Sequence, residues 1–474
     1  MTINLTQNKN FKLFKTISAV AADNKQSVYI VGGFVRDLLL DRKEPTDIDF
    51  VTEQSGIDLA KAVGKALDPN LKVSIFKTYG TAMIKFKNLD LEFVGARKES
   101  YSEDSRNPSV EIGTLNDDQK RRDFTINALA ISLNSENFGE LIDPFEGQKD
   151  LTKKILKTPL EPSQTYSDDP LRMMRAIRFA STLNFTIEEN SLQAIKNEAE
   201  RIRIVSMERI MVEFNKIMLS KKPSIGLKLL EETGLLDLFL PQLTALKGIE
   251  EKEGQTHKDN FWHTLEVVDN ICENTENLWL RWAALLHDVG KAPTKKFIDG
   301  IGWSFHGHEF LGSKMVKSIF YQLKLPLGSD MKYVQKMVKL SSRPISLIDD
   351  GTSDSALRRL LFDAGEDLED LFILNKADIT TKNSKKQEKF KQNFEYVAEK
   401  IKEVEEKDQV RNFQPPISGE EIMELFNLNP GREIGILKEK VKEAILDGEI
   451  PNEKIAARKF VIKEGEILGL KIQN

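Results

Sequence analysis

The stretch from Gly32 to Phe50 reads GGFVRDLLLDRKEPTDIDF, and it decides the fold of the first third of the chain. Just before it, Ser27 to Val31 (SVYIV) is a short apolar run stopped by Gly32-Gly33, the pattern of a buried strand entering a turn. Phe34 to Leu40 then starts a helix. Asp47 to Val51 (DIDFV) alternates charged and apolar residues as a half-buried strand does. The glycines Gly32 and Gly33 let a backbone turn approach phosphates closely, because no Cβ stands in the way. Arg36 can add charge-assisted hydrogen bonds to a triphosphate. Asp47 and Asp49 lie two apart on a strand, so both carboxylates point to one face. Such a pair can hold Mg²⁺, one ion activating an attacking hydroxyl and another steadying a leaving pyrophosphate. A GG turn alone is usually just a turn, and a DxD alone is more often a solvated strand edge. Their order and spacing together carry the specificity.

Working outward, Ala82 to Phe86 and Leu89 to Val94 are two further strands with a turn at Asn88. Glu92 lies on the second of them, either as a third carboxylate or as an exposed alternating residue. Gly95 to Lys120 is polar and charged and reads as a long mobile loop. From about Asp150 the character turns helical. Leu171 to Leu183 (LRMMRAIRFASTL) carries apolar and Arg residues at helical spacing, and Ser206 to Leu219 is a second such segment. Helices dominate to about Glu405. Residues 381–410, rich in Lys, Glu and Gln, read as a solvated helix or linker. Gln414-Pro415-Pro416 marks a boundary before a small helical tail.

Composition narrows the class without naming it. At 474 residues, with 40% hydrophobic and 30% charged residues, the chain has room for two to four globular domains. No apolar run is long enough to span a bilayer. Met1 to Asn10 lacks the pattern of a signal peptide. The single cysteine, Cys272, excludes a disulfide framework, so a cytoplasmic protein is expected. A net charge of −5 argues against a protein that coats itself in nucleic acid, but leaves room for a local basic face.

The Gly32–Phe50 motif resembles the nucleotidyltransferase superfamily that includes DNA polymerase beta. More closely, it is similar to the class II tRNA CCA-adding enzymes and the related bacterial poly(A) polymerases. Arg121 to Ala128 (RRDFTINA) matches a second motif of that family, which implies that Arg122 contacts a phosphate or sugar; Asp123 and Asn127 are as readily structural, orienting the turn. Asp143-Pro144 with Gly147 matches the family's hinge between head and neck. Ser167 to Phe185 is similar to the base-reading helix with its EDxxR signature, where Asp169 and Arg172 take the second and last positions. On the Watson–Crick edge, cytosine and adenine each present an amino donor beside a ring-nitrogen acceptor. A carboxylate and an arginine therefore suit both, and guanine and uracil leave the pair unsatisfied. Arg175 and Arg178, one and two turns on, are candidates for the triphosphate. The family's Glu is Asp168 here, a shorter carboxylate. Glu208 to Glu213 (ERIMVE) matches a helix motif read as structural, through capping and ion pairs. The resemblance implies that the segment Arg97 to Lys120 takes the place of the flexible loop needed for the final A.

All five histidines fall between His257 and His308. His263, His287-Asp288 and Asp378 resemble the ligand order of HD phosphohydrolase domains, which implies a divalent transition metal. His306 and His308 (FHGHE) are candidates for a second metal site or for phosphate. The tail is similar to the C-terminal segment of CCA-adding enzymes.

The expected fold class is α+β. A small N-terminal nucleotidyltransferase head, a DNA polymerase beta-like mixed sheet with helices (residues 1–147), precedes an elongated, mostly α-helical remainder. That remainder comprises a neck (148–250), an HD domain (251–405) and a tail (406–474). The expected activity is CCA addition to tRNA from CTP and ATP with Mg²⁺. The rivals are an A-adding enzyme, a poly(A) polymerase, an HD nucleotide phosphohydrolase with a non-catalytic head, and an RNA-binding module. A poly(A) polymerase would usually carry a basic C-terminus, which this chain lacks.

Overall fold

The computed structural model describes residues 1–42, 46–77, 80–102, 105–349, 353–381, 383–408 and 414–472. Residues 43–45 of the first motif, 103–104 of the expected loop, and 409–413 and 473–474 at the edges of the expected tail lie outside the described residues. The chain divides into two units, Met1–Phe239 and Leu240–Asn474.

The first unit opens with α1 (Phe11–Asp23), β1 (Tyr29–Val31), α2 (Gly33–Leu39), β2 (Asp47–Thr52) and α3 (Gly56–Leu67). There follow β3 (Val73–Phe76), β4 (Thr81–Phe86), β5 (Leu89–Gly95), β6 (Arg97–Ser102), β7 (Ser105–Ile112), α4 (Leu115–Lys120), β8 (Ala130–Ser132) and β9 (Leu141–Ile142). Seven strands form one sheet in the order β3-β4-β5-β2-β1-β8-β9. Its neighbours are antiparallel except β2 and β5, which run parallel.

Period-two alternation sorts the two faces of this sheet. Ile48 and Phe50 of β2 are fully buried, and Phe50 stacks on Phe93 of β5 at 4.9 Å between centroids. Phe14 of α1 meets Phe50 and Phe34 edge-on. A ring buried in this way costs about 3–5 kcal/mol to truncate. The opposite face of β2 carries Asp47, Asp49 and Val51. There Val51 joins Val31, Ala96, Leu115 and Ala130 in a small buried cluster. One core thus fixes the floor beneath the two aspartates from behind, and a second fixes it from beside.

The segment expected to be a mobile loop is ordered differently. β6 and β7 pair with each other as an antiparallel hairpin, separate from the large sheet, and α4 follows. The sequence hides this hairpin because it lacks a hydrophobic alternation and holds Pro108. Thr114 and Asp117 close a reciprocal capping box at the start of α4.

The helical part of the unit runs through α5 (Gly147–Lys153), α6 (Pro162–Asp168), α7 (Leu171–Leu183), α8 (Glu189–Glu198) and α9 (Met207–Met218). α7 occupies the range its periodicity predicts and ends on Asn184 in the left-handed conformation, φ +56°. It buries Met173, Met174, Ile177 and Ala180 against α9 and the helix Pro223–Glu232. Asp143 caps α5, accepting from the backbone N–H groups of Gly147 at 2.7 Å and Gln148 at 3.0 Å.

The second unit is helical apart from two small hairpins, Glu251–Lys252 with Gln255–Thr256 and Lys296–Ile298 with Gly302–Ser304. Its core gathers Phe261, Leu265, Trp282, Leu285, Phe320, Val334 and Leu371, all essentially fully buried. The charged stretch beyond residue 381 forms the helix Ser384–Asp408. The tail adds Gly419–Phe426, Arg432–Asp447 and Lys454–Ile467. Among the described residues, no helix is long and apolar enough to cross a membrane.

Candidate active site

Gly32 sits between β1 and α2 with φ +74°, a region that glycine enters without strain. A Cβ added there would stand 3.1 Å from Arg122 Nη1 and 3.3 Å from Asp49 Oδ2. The turn, the strand aspartate and the RRDFTINA arginine therefore meet at one point. Gly33 opens α2, and a Cβ on it would lie 3.6 Å from Arg36 Nη2.

Parallel register sets Asp49 beside Glu92, with Asp47 one pleat away on the same face. Burial holds the Asp49 carboxyl above its usual range; Arg122 pulls it back, while Asp47 and Asp118 push it further up. Glu92 is raised as well, by burial and then by Asp49, against the pull of Arg97. Asp49 and Glu92, each raised in part by neighbouring carboxylates, mark a site short of positive charge. The oxygen donors Asp47, Asp49 and Glu92 suit a hard divalent cation.

Arg122 is held in place by a carboxylate that sequence reading passes over. Asp118 of α4 has a fully buried side chain and accepts from Arg122 Nε at 3.0 Å and Nη2 at 2.9 Å, and also from Arg121. The two arginines outweigh burial and keep Asp118 below the usual carboxylate range. Its i,i+3 and i,i+4 spacing to Arg121 and Arg122 permits these pairs without singling it out among the neighbouring charges.

A line of four side chains then joins α2 to α7. Arg36 Nη1 donates to Asn127 Oδ1 at 2.9 Å, and Asn127 Nδ2 donates to Asp123 Oδ1 at 2.9 Å. Asp123 Oδ2 receives Arg175 Nη2 at 2.6 Å and Nε at 2.8 Å. Burial alone would raise Asp123, but Arg175 and Asn127 win and bring its pKa down to about 2. The structural role open to Asp123 and Asn127 is thus the one their contacts display.

Arg36, Arg175 and Arg178 gather round Phe179, their guanidinium carbons 5.0, 5.5 and 4.0 Å from its ring centroid. Phe179 is a second residue that sequence reasoning missed, since an aromatic at helical spacing reads as core. Arg178 is engaged by Glu213 of α9 at 2.7 Å, which gives the ERIMVE helix the ion-pair role expected of it. Arg175 is the more open of the two, with 34% of its side chain exposed against 14% for Arg178.

Asp169 caps the C-terminus of α6, and Arg172 lies in the first turn of α7. Asp169 Oδ1 accepts from Leu171 N–H at 3.3 Å, and Arg172 Nη2 donates to the Arg121 carbonyl at 2.7 Å. Both side chains are half-buried, and each keeps polar atoms beyond these bonds. Asp168 accepts from Gln164 Nε2 at 2.5 Å instead.

The second unit holds a separate cluster. His263 Nε2 lies 2.8 Å from Asp378 Oδ1, and His287 Nε2 lies 3.3 Å from Asp288 Oδ2 and 3.5 Å from Asp378 Oδ1. His287 Nδ1 faces the Ala284 carbonyl at 2.8 Å, which fixes the tautomer and leaves a buried Nε2 with no hydrogen-bond partner, aimed into the cluster. One ligand atom each from His263, His287 and Asp378 falls within 4.8 Å of the others. Burial would lower His287, but Asp288 and Asp378 overturn this and raise it to about 10. The converging imidazole and carboxylate donors, with the unpartnered His287 Nε2 aimed among them, fit a divalent transition metal. His308 joins at 3.5 Å from Asp288 Oδ1, whereas His306 is exposed and makes no contact with the cluster among the described residues. His257 lies apart, edge-on to Trp303 and Phe305.

Metal binding here has a direct readout. Mn²⁺ or Ni²⁺ at a hundredfold excess over its dissociation constant is expected to stabilise the holding unit by about 2.7 kcal/mol. The check is a thermal melt of the whole chain with and without the ion. His287→Gln is expected to erase the shift, and a wild type indifferent to every divalent ion would refute the site.

Residues 28–157 match the Poly A polymerase head domain, 184–247 the probable RNA and SrmB-binding site of polymerase A, and 260–378 the HD domain. An A-adding tRNA nucleotidyltransferase of Deinococcus radiodurans is 34% identical over 74% of this chain and 80% of its own length. A CCA-adding enzyme of Bacillus velezensis is 29% identical over 90% of this chain and 91% of its own. A solved tRNA nucleotidyltransferase, complexed with a primer tRNA and an incoming ATP analog, superposes with a TM-score of 0.55 at 25% identity; the match covers 82% of this chain and 99% of that one.

Proposed function

Because this chain belongs to the tRNA nucleotidyltransferase and poly(A) polymerase family, we propose that it builds the 3′ end of tRNA without a template, transferring CMP from CTP and AMP from ATP with release of pyrophosphate. The convergence of Asp49, Arg122 and the Gly32 turn carries this reading.

Asp47 and Asp49, with Glu92 beside them, would hold Mg²⁺. Bound there, the ion would activate the attacking 3′-hydroxyl and neutralise the leaving pyrophosphate. The chain's own groups do the rest. The bare backbone at Gly32 and Gly33 leaves room for phosphate oxygens. Arg122, held by Asp118, donates to a phosphate or sugar. Arg36, Arg175 and Arg178 supply positive charge for the triphosphate from around Phe179. Asp169 accepts from the exocyclic amino group of cytosine or adenine, and Arg172 donates to the ring nitrogen.

We assign transfer to residues 1–147, nucleotide and RNA holding to 148–250, a metal-binding HD domain to 251–405 and tRNA contact to 406–474. His263, His287, Asp288 and Asp378 would hold a divalent transition metal, with His308 at the margin. With its single cysteine the chain suits the cytoplasm.

A second reading, addition of the terminal A alone, is favoured by the name of the Deinococcus relative. Three tRNA transcripts, ending before the CCA, at C and at CC, separate the two when given CTP, ATP or both with Mg²⁺. Extension of all three to CCA is the expected result. If only the CC form gains one A, the second reading holds; a long A tail on any RNA would mark a poly(A) polymerase. No extension of any transcript would discard the transferase reading.

A further inference from the structure

The helix His308–Gln322 buries Gly312, Val316, Ile319 and Phe320, and Phe320 packs on Trp279 and Trp282. Its other side presents Phe310, Lys314, Lys317 and Tyr321, spaced four, three and four residues apart, so they form one stripe. Phe310 is 57% and Tyr321 64% exposed, so both rings are open to a partner. Lys314 lies over the Phe310 ring at 4.1 Å, and Lys324, just past the helix, lies over Tyr321 at 5.1 Å. None of Lys314, Lys317 and Lys324 has a carboxylate partner among the described residues. From Phe310 to Ser329 the sequence holds three lysines and no Asp or Glu, in a chain whose net charge is −5. Phe310 to Tyr321 spans about 16 Å along the axis. At the near end, His308 touches the HD cluster through Asp288.

We propose that this stripe is a contact surface for an RNA strand, running away from the HD cluster along the helix. Phe310 and Tyr321 take base faces, and Lys314, Lys317 and Lys324 take phosphates. Alternating rings and unpaired ammonium groups are how proteins hold single-stranded nucleic acid without reading its sequence. The absence of acidic residues along the stripe matches a polyanion. The paired presence of exposed rings and unpaired lysines suits bases and phosphates together better than an aliphatic protein surface. The inference rests on the reading that the substrate is RNA.

The test is fluorescence anisotropy of a labelled tRNA transcript with the full chain, at salt from 50 to 200 mM. The triple variant Lys314→Gln, Lys317→Gln, Lys324→Gln is expected to bind about tenfold or more weakly at low salt, and its slope of log affinity against log salt should fall by about 2. Phe310→Ala with Tyr321→Ala is expected to weaken binding about tenfold with the slope unchanged, because stacking releases no counterions. The matching Lys→Arg triple variant is expected to bind as wild type does. If wild type binds and extends tRNA while the Gln and Ala variants keep its affinity and slope, the stripe proposal fails and the reading of the substrate stands. If wild type binds no RNA, that reading fails with it. Sedimentation that finds a wild-type dimer dissolved by these variants, with RNA affinity unchanged, would also overturn the proposal.

Discussion

Asp49→Asn is expected to leave a folded protein that transfers nucleotides at least about a thousandfold more slowly. Loss of a metal-holding carboxylate removes several kcal/mol of charge stabilisation from the transition state, and each 1.36 kcal/mol is a factor of ten. The shape of the side chain is kept, so the loss falls on chemistry. Stability is expected to move the other way. Burial, Asp47 and Asp118 hold the Asp49 carboxyl above its usual range, so its negative charge opposes folding at neutral pH. The amide removes that charge, and Tm should stay the same or rise. Single-turnover primer extension beside a thermal melt reads both. An Asp49→Asn protein extending tRNA at the wild-type rate would rule out the assigned role of the carboxylates, and one that melts many degrees lower would show that Asp49 is structural. His287→Gln should leave the transfer rate untouched.

Asp123→Asn is expected to act on the fold itself. The change leaves the Arg175 guanidinium without its carboxylate, and losing a charge-assisted pair of which only the Asp123 side is buried costs about 2–3 kcal/mol. For a unit of this size that is a Tm loss on the order of 10 °C. The pH dependence has a definite sign. Asp123 is depressed to about 2 from an ordinary 3.8, so its contribution is present in full above about pH 4 and is lost as pH falls toward 2. That shift corresponds to about 2 kcal/mol. Melts at pH 7 and pH 3 should therefore show the gap between wild type and the Asp123→Asn variant narrowing in acid. A gap independent of pH would mean that Asp123 acts through packing rather than charge. The variant should also raise the nucleotide KM, since Arg36 and Arg175 lose the bridge between them.

Legibility in the sequence followed burial. Asp47 and Asp49 could be set on one face because a strand with a buried side alternates, and Ile48 and Phe50 mark that side. α7 could be bounded residue by residue because its apolar face is continuous and Asn184 stops it. The hairpin at 97–112 could not be read, since it pairs only with itself, outside the large sheet, and leaves no hydrophobic period. Asp118 was hidden for a different reason. In LNDDQKRRD it looks like one of several solvated charges, and only the fold shows that two arginines follow it inward. Arg175 and Arg178 were legible as two cations on successive turns of α7. Their prior commitments to Asp123 and Glu213 come from residues 52 and 35 positions away, a distance at which spacing carries no signal.

The three carboxylates proposed to hold Mg²⁺ owe their spacing to main chain. Asp47 and Asp49 stand about 6.6 Å apart because two strand residues rise by that much, and Glu92 is set beside Asp49 by the parallel pairing of β2 and β5. The side chains packed beneath hold that floor in place but do not set its spacing. A lineage carrying this chain is therefore free to exchange Ile48 for Val or Phe93 for Leu over many generations and keep the constellation intact. Gaining or losing a single codon within either strand is another matter, since it turns the acids beyond it to the core and the phenylalanines to the opposite face. Descent at this site can proceed by spelling changes, but not by a change in the count of letters.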